Sequence, residues 1–233
     1  MKYMRIITLA LALALATAMV SCGNGDSTDN NSNNSVSSAE NVTIDNSNGY
    51  VAAMTAAAGL NMEKSSVDDI TAKFGQPTKT ANESRNEINC TILTYSFGEL
   101  YFEERDGQQT LTFAIITDKL PEDIYGVNMG DDMYTVAETI YPGCTDKIKS
   151  ALTAAESGLD SRAVFYGDVS DNSRTPPYGY FQIVDIEQSD ETSMYTLEYA
   201  VPSEVGGYAH TINLTFDREM KLSCIIINCS EIF

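Results

Sequence analysis

Apolar residues run almost without a break from position 6 to 20, nearly vanish from 23 to 49, and return from Tyr50 at helical and strand spacings. The first run spans fifteen residues, roughly 22 Å as a helix, short of the roughly 30 Å hydrocarbon core of a bilayer. It therefore predicts a cleaved export leader rather than a permanent span. The middle stretch is Asn, Ser, Asp, Thr and Gly with isolated apolar residues, too little to bury, and predicts a flexible tether with a reach of about 30 Å. Folding is expected from Tyr50 onward.

Within that part the pattern repeats. Gly59-Leu60-Asn61-Met62 precedes apolar Val67, Ile70 and Phe74, while Gly126-Val127-Asn128-Met129 precedes Met133, Val136 and Ile140. Both sets keep the i, i+3, i+7 spacing that gives a two-turn helix one apolar stripe, and both end at breakers, Gly75 with Pro77 and Pro142 with Gly143. Ser66 and Asp69 form a capping box, and Asp131 with Asp132 puts negative charge where the second helix starts. A further helix is predicted over 146–157, closed by Gly158. Strand-like segments follow each helix, at 90–97, 99–105 and 110–117 in the first half and at 163–169, 180–188, 194–201, 210–216 and 221–228 in the second. Asp106-Gly107 marks a tight hairpin, and Ile212, Leu214 and Phe216 alternate with polar neighbours, as in a sheet wetted on one face. The fold class expected is α+β, two tandem units of short helices packed on antiparallel β-sheet. The divisions are a leader at 1–21, a lipidated cysteine and tether at 22–49, a first unit at 50–122 and a second at 123–233.

Lys2 and Arg5, the apolar run, and Met19-Val20-Ser21-Cys22 together resemble the leader of bacterial lipoproteins. The resemblance implies cleavage before Cys22, diacylglycerol on its thiol, and two or three acyl chains holding the protein to a cell or outer membrane, outside the cytoplasm. Separately, Val67-x-x-Ile70-x-x-x-Phe74-Gly75-x-Pro77, followed by Tyr95-x-Phe97-Gly98 and Phe102, resembles the helix-plus-sheet repeat of the β-lactamase-inhibitor-protein type and of the SmpA/OmlA outer-membrane assembly lipoproteins. That likeness implies tandem α/β units that work by binding. The second copy departs from it, with Tyr141-Pro142 in place of Gly-x-Pro.

Charge and chemistry narrow the function. Loss of the leader removes two basic and no acidic residues, so the net charge moves from −19 to −21. No run of Lys or Arg remains, which argues against a nucleic-acid groove. His210 is the lone histidine, and the sequence holds no G-x-S-x-G, H-x-x-x-H, C-x-x-C, phosphate-loop or dinucleotide motif. Neither a metal nor another cofactor is expected. Four cysteines remain for the folded part, Cys90, Cys144, Cys224 and Cys229; the last two read as five steps apart along one strand and should not pair unless the strand ends between them. Asp168 with Asp171-Asn172 reads as a solvated turn rather than a calcium loop, because the alternating ligand order is absent. The candidate binding residues are Arg174, Tyr178 and Tyr180, on an expected proline-stiffened loop. The expected role is non-covalent binding to an envelope protein or ligand. Inhibition of a secreted or periplasmic enzyme such as a β-lactamase-like hydrolase is a second reading, and a carboxylate-dependent glycan or peptide hydrolase a third.

Overall fold

A computed structural model describes residues 58–122, 124, 126–156, 162–170, 173–183, 195–202 and 209–230. The leader, Cys22 and the tether lie outside the described residues. Among the described residues, three helices and nine strands follow in the order α1 (Val67–Phe74), β1 (Lys79–Arg85), β2 (Ile88–Tyr95), β3 (Gly98–Arg105), β4 (Gln108–Ile116), α2 (Met133–Ile140), α3 (Thr145–Glu156), β5 (Arg162–Ser170), β6 (Ser173–Ile183), β7 (Tyr195–Pro202), β8 (Ala209–Phe216) and β9 (Leu222–Asn228). The protein is α+β, with its helices packed against an antiparallel sheet.

Both repeated helices form where their stripes and caps place them. Ser66 caps α1 through the expected reciprocal box with Asp69, and the Asp132 carboxylate accepts from Tyr134 N–H at 3.0 Å at the start of α2. Ile70 is the buried residue of α1, whereas Met133, Val136, Ala137 and Ile140 are all buried in α2. The Glu138 carboxylate ties α2 to α3, accepting from Gly143 N–H at 2.7 Å, from Thr145 N–H at 2.8 Å and from the Thr145 hydroxyl.

The sheet order is β1-β2-β3-β4-β9-β8-β7-β6-β5, and every neighbouring pair is antiparallel. Each half is thus a meander, and the two join where Phe113 to Ile116 of β4 face Asn228 to Ile225 of β9. The repeat in sequence is a repeat in backbone. Gly59 and Gly126 both have φ above +70°, Leu60 and Val127 are both buried, and Met62 and Met129 both rest on the core. Each turn is pinned to its own half's inner strand. Leu111 accepts from Glu63 N–H and donates to Ser65, while Leu222 accepts from Gly130 N–H and donates to Asp131.

The main core lies between the helices and one sheet face, taking in Leu93, Leu100, Phe102, Ile116, Phe181, Ile212, Leu214, Phe216 and Ile227 among others. The opposite face carries two smaller apolar clusters, Ile92, Tyr101, Phe113 and Ile115 in the first half, and Tyr178, Tyr180 and Ala200 in the second.

Three local features differ from the sequence expectation. β1 is an additional strand, polar and accessible on both faces, entered and left at the sheet edge. Its connection to β2 is Asn86-Glu87, both at positive φ, a turn with Glu where glycine is the usual choice. The segment around Arg174 is strand rather than loop, since β6 begins at Ser173. Pro176 and Pro177 fit there because neither has a ladder partner. Pairing with β5 is irregular around them, and pairing with β7 starts at Tyr178.

Candidate functional site

Arg174 stands opposite Val169 in the β5–β6 pair, with its backbone alone described. Tyr178 and Tyr180 lie two apart on β6 and so share a face, the one away from the helices. Both are buried, and their hydroxyls donate to the two oxygens of Glu198 on β7, at 2.7 Å and 3.0 Å. Glu198 sits directly across from Tyr180 in the register, which explains how one carboxylate can hold two phenols. This arrangement ties two strands together. The two tyrosines do not project from a loop, contrary to the sequence expectation, because pairing with β5 and β7 draws them into the sheet.

His210 begins the core-facing run of β8 and meets Glu63, far away in the chain, with Nε2 3.1 Å from a carboxylate oxygen. The two side chains are only 16% and 26% exposed, and the approach is not aligned as a hydrogen bond. The contact therefore holds the segment before α1 against the second half as a close charge contact when the imidazole is protonated. Cys229 follows β9 on the same side, and its thiol is pushed well above the ordinary range, first by burial and then by the Glu63 carboxylate. A nucleophilic Cys–His arrangement needs the thiolate, and here the surroundings oppose it.

The other thiols are also held protonated. Burial pushes Cys144 up to about 12, with the Glu138 carboxylate adding to it, and burial alone does the same for Cys224. Burial raises Cys90 as well, helped by the charge of Glu103 across the strand pair. All four are free cysteines. Cys224 lies on β9, which ends at Asn228, so Cys229 falls just past the strand, where strand spacing does not decide whether the two can pair; both thiols are free.

Beside α1 lies an open hollow of about 450 Å³ lined by Gly59, Asn61, Lys64, Ser65, Asp69 and Lys73. Three things shape it. Gly59 has φ +72°, and the Lys73 chain passes where a β-carbon would stand, only 1.9 Å from Nζ. Lys73 Nζ then reaches Glu122 at 3.0 Å and lies over the Phe74 ring. The Asp69 carboxyl is held below its usual range by the backbone and hydroxyl of Ser66, so it stays ionised and acts as a cap. The hollow offers the Lys64 ammonium, an amide and a hydroxyl; its other ammonium, Lys73, is already paired with Glu122, and its one carboxylate with Ser66. It can hold a polar or acidic group, but it lacks a thiol or imidazole to do chemistry on it.

Among the described residues no three His, Cys, Asp or Glu side chains converge as metal ligands, and no helix is long and apolar enough to cross a membrane. Asp168 lies on β5 opposite Thr175, while Asp171 and Asn172 lie outside the described residues. Neither the hollow nor the Glu63–His210 contact is legible in sequence, because each joins residues that no local spacing connects. Compared with protein-family models, curated proteins and solved structures, the chain matches none.

Proposed function

We propose that the chain is a lipid-anchored cell-envelope protein, held through acyl chains on Cys22, that acts by non-covalent binding to an envelope protein or ligand. The observation that carries the reading is the hollow beside α1. It is open and polar, with the Lys64 ammonium at its wall and Lys73 paired to Glu122 beside it, and its one carboxylate is kept ionised rather than poised as a general acid. The surrounding chemistry points the same way, since the thiols are held protonated and Tyr178, Tyr180 and Glu198 are spent on one another. Multiple acyl chains make anchoring durable where one alone binds weakly.

The test is capture from envelope extract with the full chain carrying a photo-crosslinker at Asn61, compared with a Lys64→Glu, Lys73→Glu variant. A discrete crosslinked partner that is lost in the variant supports the reading. Turnover of a polysaccharide or peptide by the purified protein, abolished by changing one carboxylate, contradicts it. The inhibitor reading is favoured by the order of elements, a helix then an antiparallel meander, made twice. Titration of the protein against a β-lactamase-like hydrolase tests that reading, and undiminished hydrolysis at saturating protein rejects it.

A further inference from the structure

The two edges of the sheet are unlike. β5, at one end, loses register twice, between Val164 and Tyr166 and between Tyr166 and Asp168, and such bulges twist an edge out of reach of another chain. β1, at the other end, pairs with β2 through seven consecutive residues without a shift, contains no proline, and among the described residues has no strand on its outer side. Its charges are of mixed sign. Lys79 and Glu83 are exposed, and Arg85 donates to Glu83 within the strand through Nε and Nη2 at 3.2 Å and 3.0 Å.

We infer that β1 is a self-pairing edge, on which a second copy of this chain adds its own β1 antiparallel about a two-fold axis at Ala81. Registers centred on a charged residue set it against its own copy, and three others bring two different charged residues of β1 face to face. Centred on Asn82, the strands overlap fully, but Lys79 faces Arg85 twice, which is repulsive. Centred on Ser84, Glu83 faces Arg85, yet only the last few residues of β1 overlap. Centred on Ala81, Lys79 of each copy faces Glu83 of the other, Thr80 faces Asn82, and like charges do not meet. Two-fold symmetry makes each favourable pair occur twice. Ala81 is small, half-buried and packed on the Ile92, Tyr101 and Phe113 cluster, so its copy meets it without a steric clash, flanked on the same face by the Lys79 and Glu83 pairs. The protein's large negative charge does not forbid this approach, because repulsion between distant carboxylates is screened beyond about 8 Å in physiological salt.

The pairing depends on neither the lipid anchor nor the hollow. Opposed residues of antiparallel strands have Cα atoms about 4.5–5.5 Å apart, within disulfide range, so the dyad residue is the one that links to its own copy. In the full chain, Ala81→Cys under mild oxidation is expected to give a reducible dimer well above the wild-type background, and Asn82→Cys is not. Adding Lys79→Glu to Ala81→Cys should lower the dimer yield at least fivefold, and adding Glu83→Lys as well should restore it. Far-UV circular dichroism of each variant confirms that the fold is kept. The inference is overturned if Ala81→Cys gives no more dimer than wild type, if Asn82→Cys links better, or if the Ala81→Cys variant links to a different protein instead of its own copy.

Discussion

Ile116 on β4 and Ile225 on β9 face each other across the seam between the two halves, and both are buried in the main core, at 0% and 2% exposure. Truncating either to alanine removes three carbons, about 2.4 kcal/mol at about 0.8 kcal/mol each, and the cavity left behind raises the cost to about 3–4 kcal/mol. Because opposed side chains in a sheet touch, the second truncation removes part of what the first has already lost. Ile116→Ala with Ile225→Ala should therefore cost about 1 kcal/mol less than the sum of the singles, whereas Ile116→Ala with Ile92→Ala, on the other sheet face, should add. Urea unfolding followed by far-UV circular dichroism and tyrosine fluorescence measures all three differences. One cooperative transition is expected, since the ladder runs unbroken through β4 and β9. Strict additivity of the seam pair, with two separate transitions, would show that the halves fold as independent sheets and refute the pairing.

Glu138→Gln loses the charged acceptor that joins α2 to α3, and thermal melting should show a cost of about 1 kcal/mol. The pH dependence follows from the sign of the shift. The Glu138 carboxyl is held below its usual range, chiefly by the Thr145 hydroxyl, so its contribution is present above the unfolded-state value near 4.5 and is lost as pH falls through the folded value. Melting between about pH 3 and 6 should show the wild type converging on the variant in acid; a constant difference would contradict this. Gly98→Ala should be severe, because φ is +150° and a β-carbon would stand 1.9 Å from the Ile115 carbonyl oxygen; retention of wild-type melting would count against the register of β3 on β4. Finally, Cys90, Cys144 and Cys229 are buried, so labelling by a thiol reagent at about pH 8 should be slow in the folded protein and fast in denaturant, and rapid labelling of the native protein would contradict the core as described.

Much of this fold is legible in sequence because its helices and inner strands satisfy local and global demands together. Val67, Ile70 and Phe74 carry the spacing that the core needs, Ser66 and Asp69 carry the cap, and Asp106-Gly107 adopts positive φ at both positions, as the hairpin requires. β1 is illegible for a physical reason. An edge strand wet on both faces has no apolar alternation to display, and its turn uses Asn86-Glu87 in place of a glycine signal. The start of β6 is hidden because proline normally argues against a strand, and only the tertiary irregularity opposite Tyr166 and Asp168 accommodates it. Residue type alone makes the tyrosines a presenting surface, but Glu198 claims them, and that partner lies on the next strand. The hollow depends on Lys73 crossing Gly59, a contact that no periodicity encodes.

The central proposal is that acyl chains on Cys22 hold this folded head at the envelope surface. Intact-mass and peptide mass spectrometry of the protein recovered from the membrane fraction tests it most directly. The predicted result is a chain beginning at Cys22 with diacylglycerol on its thiol; a chain retaining residues 1–21, or one with an unmodified Cys22 found in culture fluid or cytosol, would contradict it.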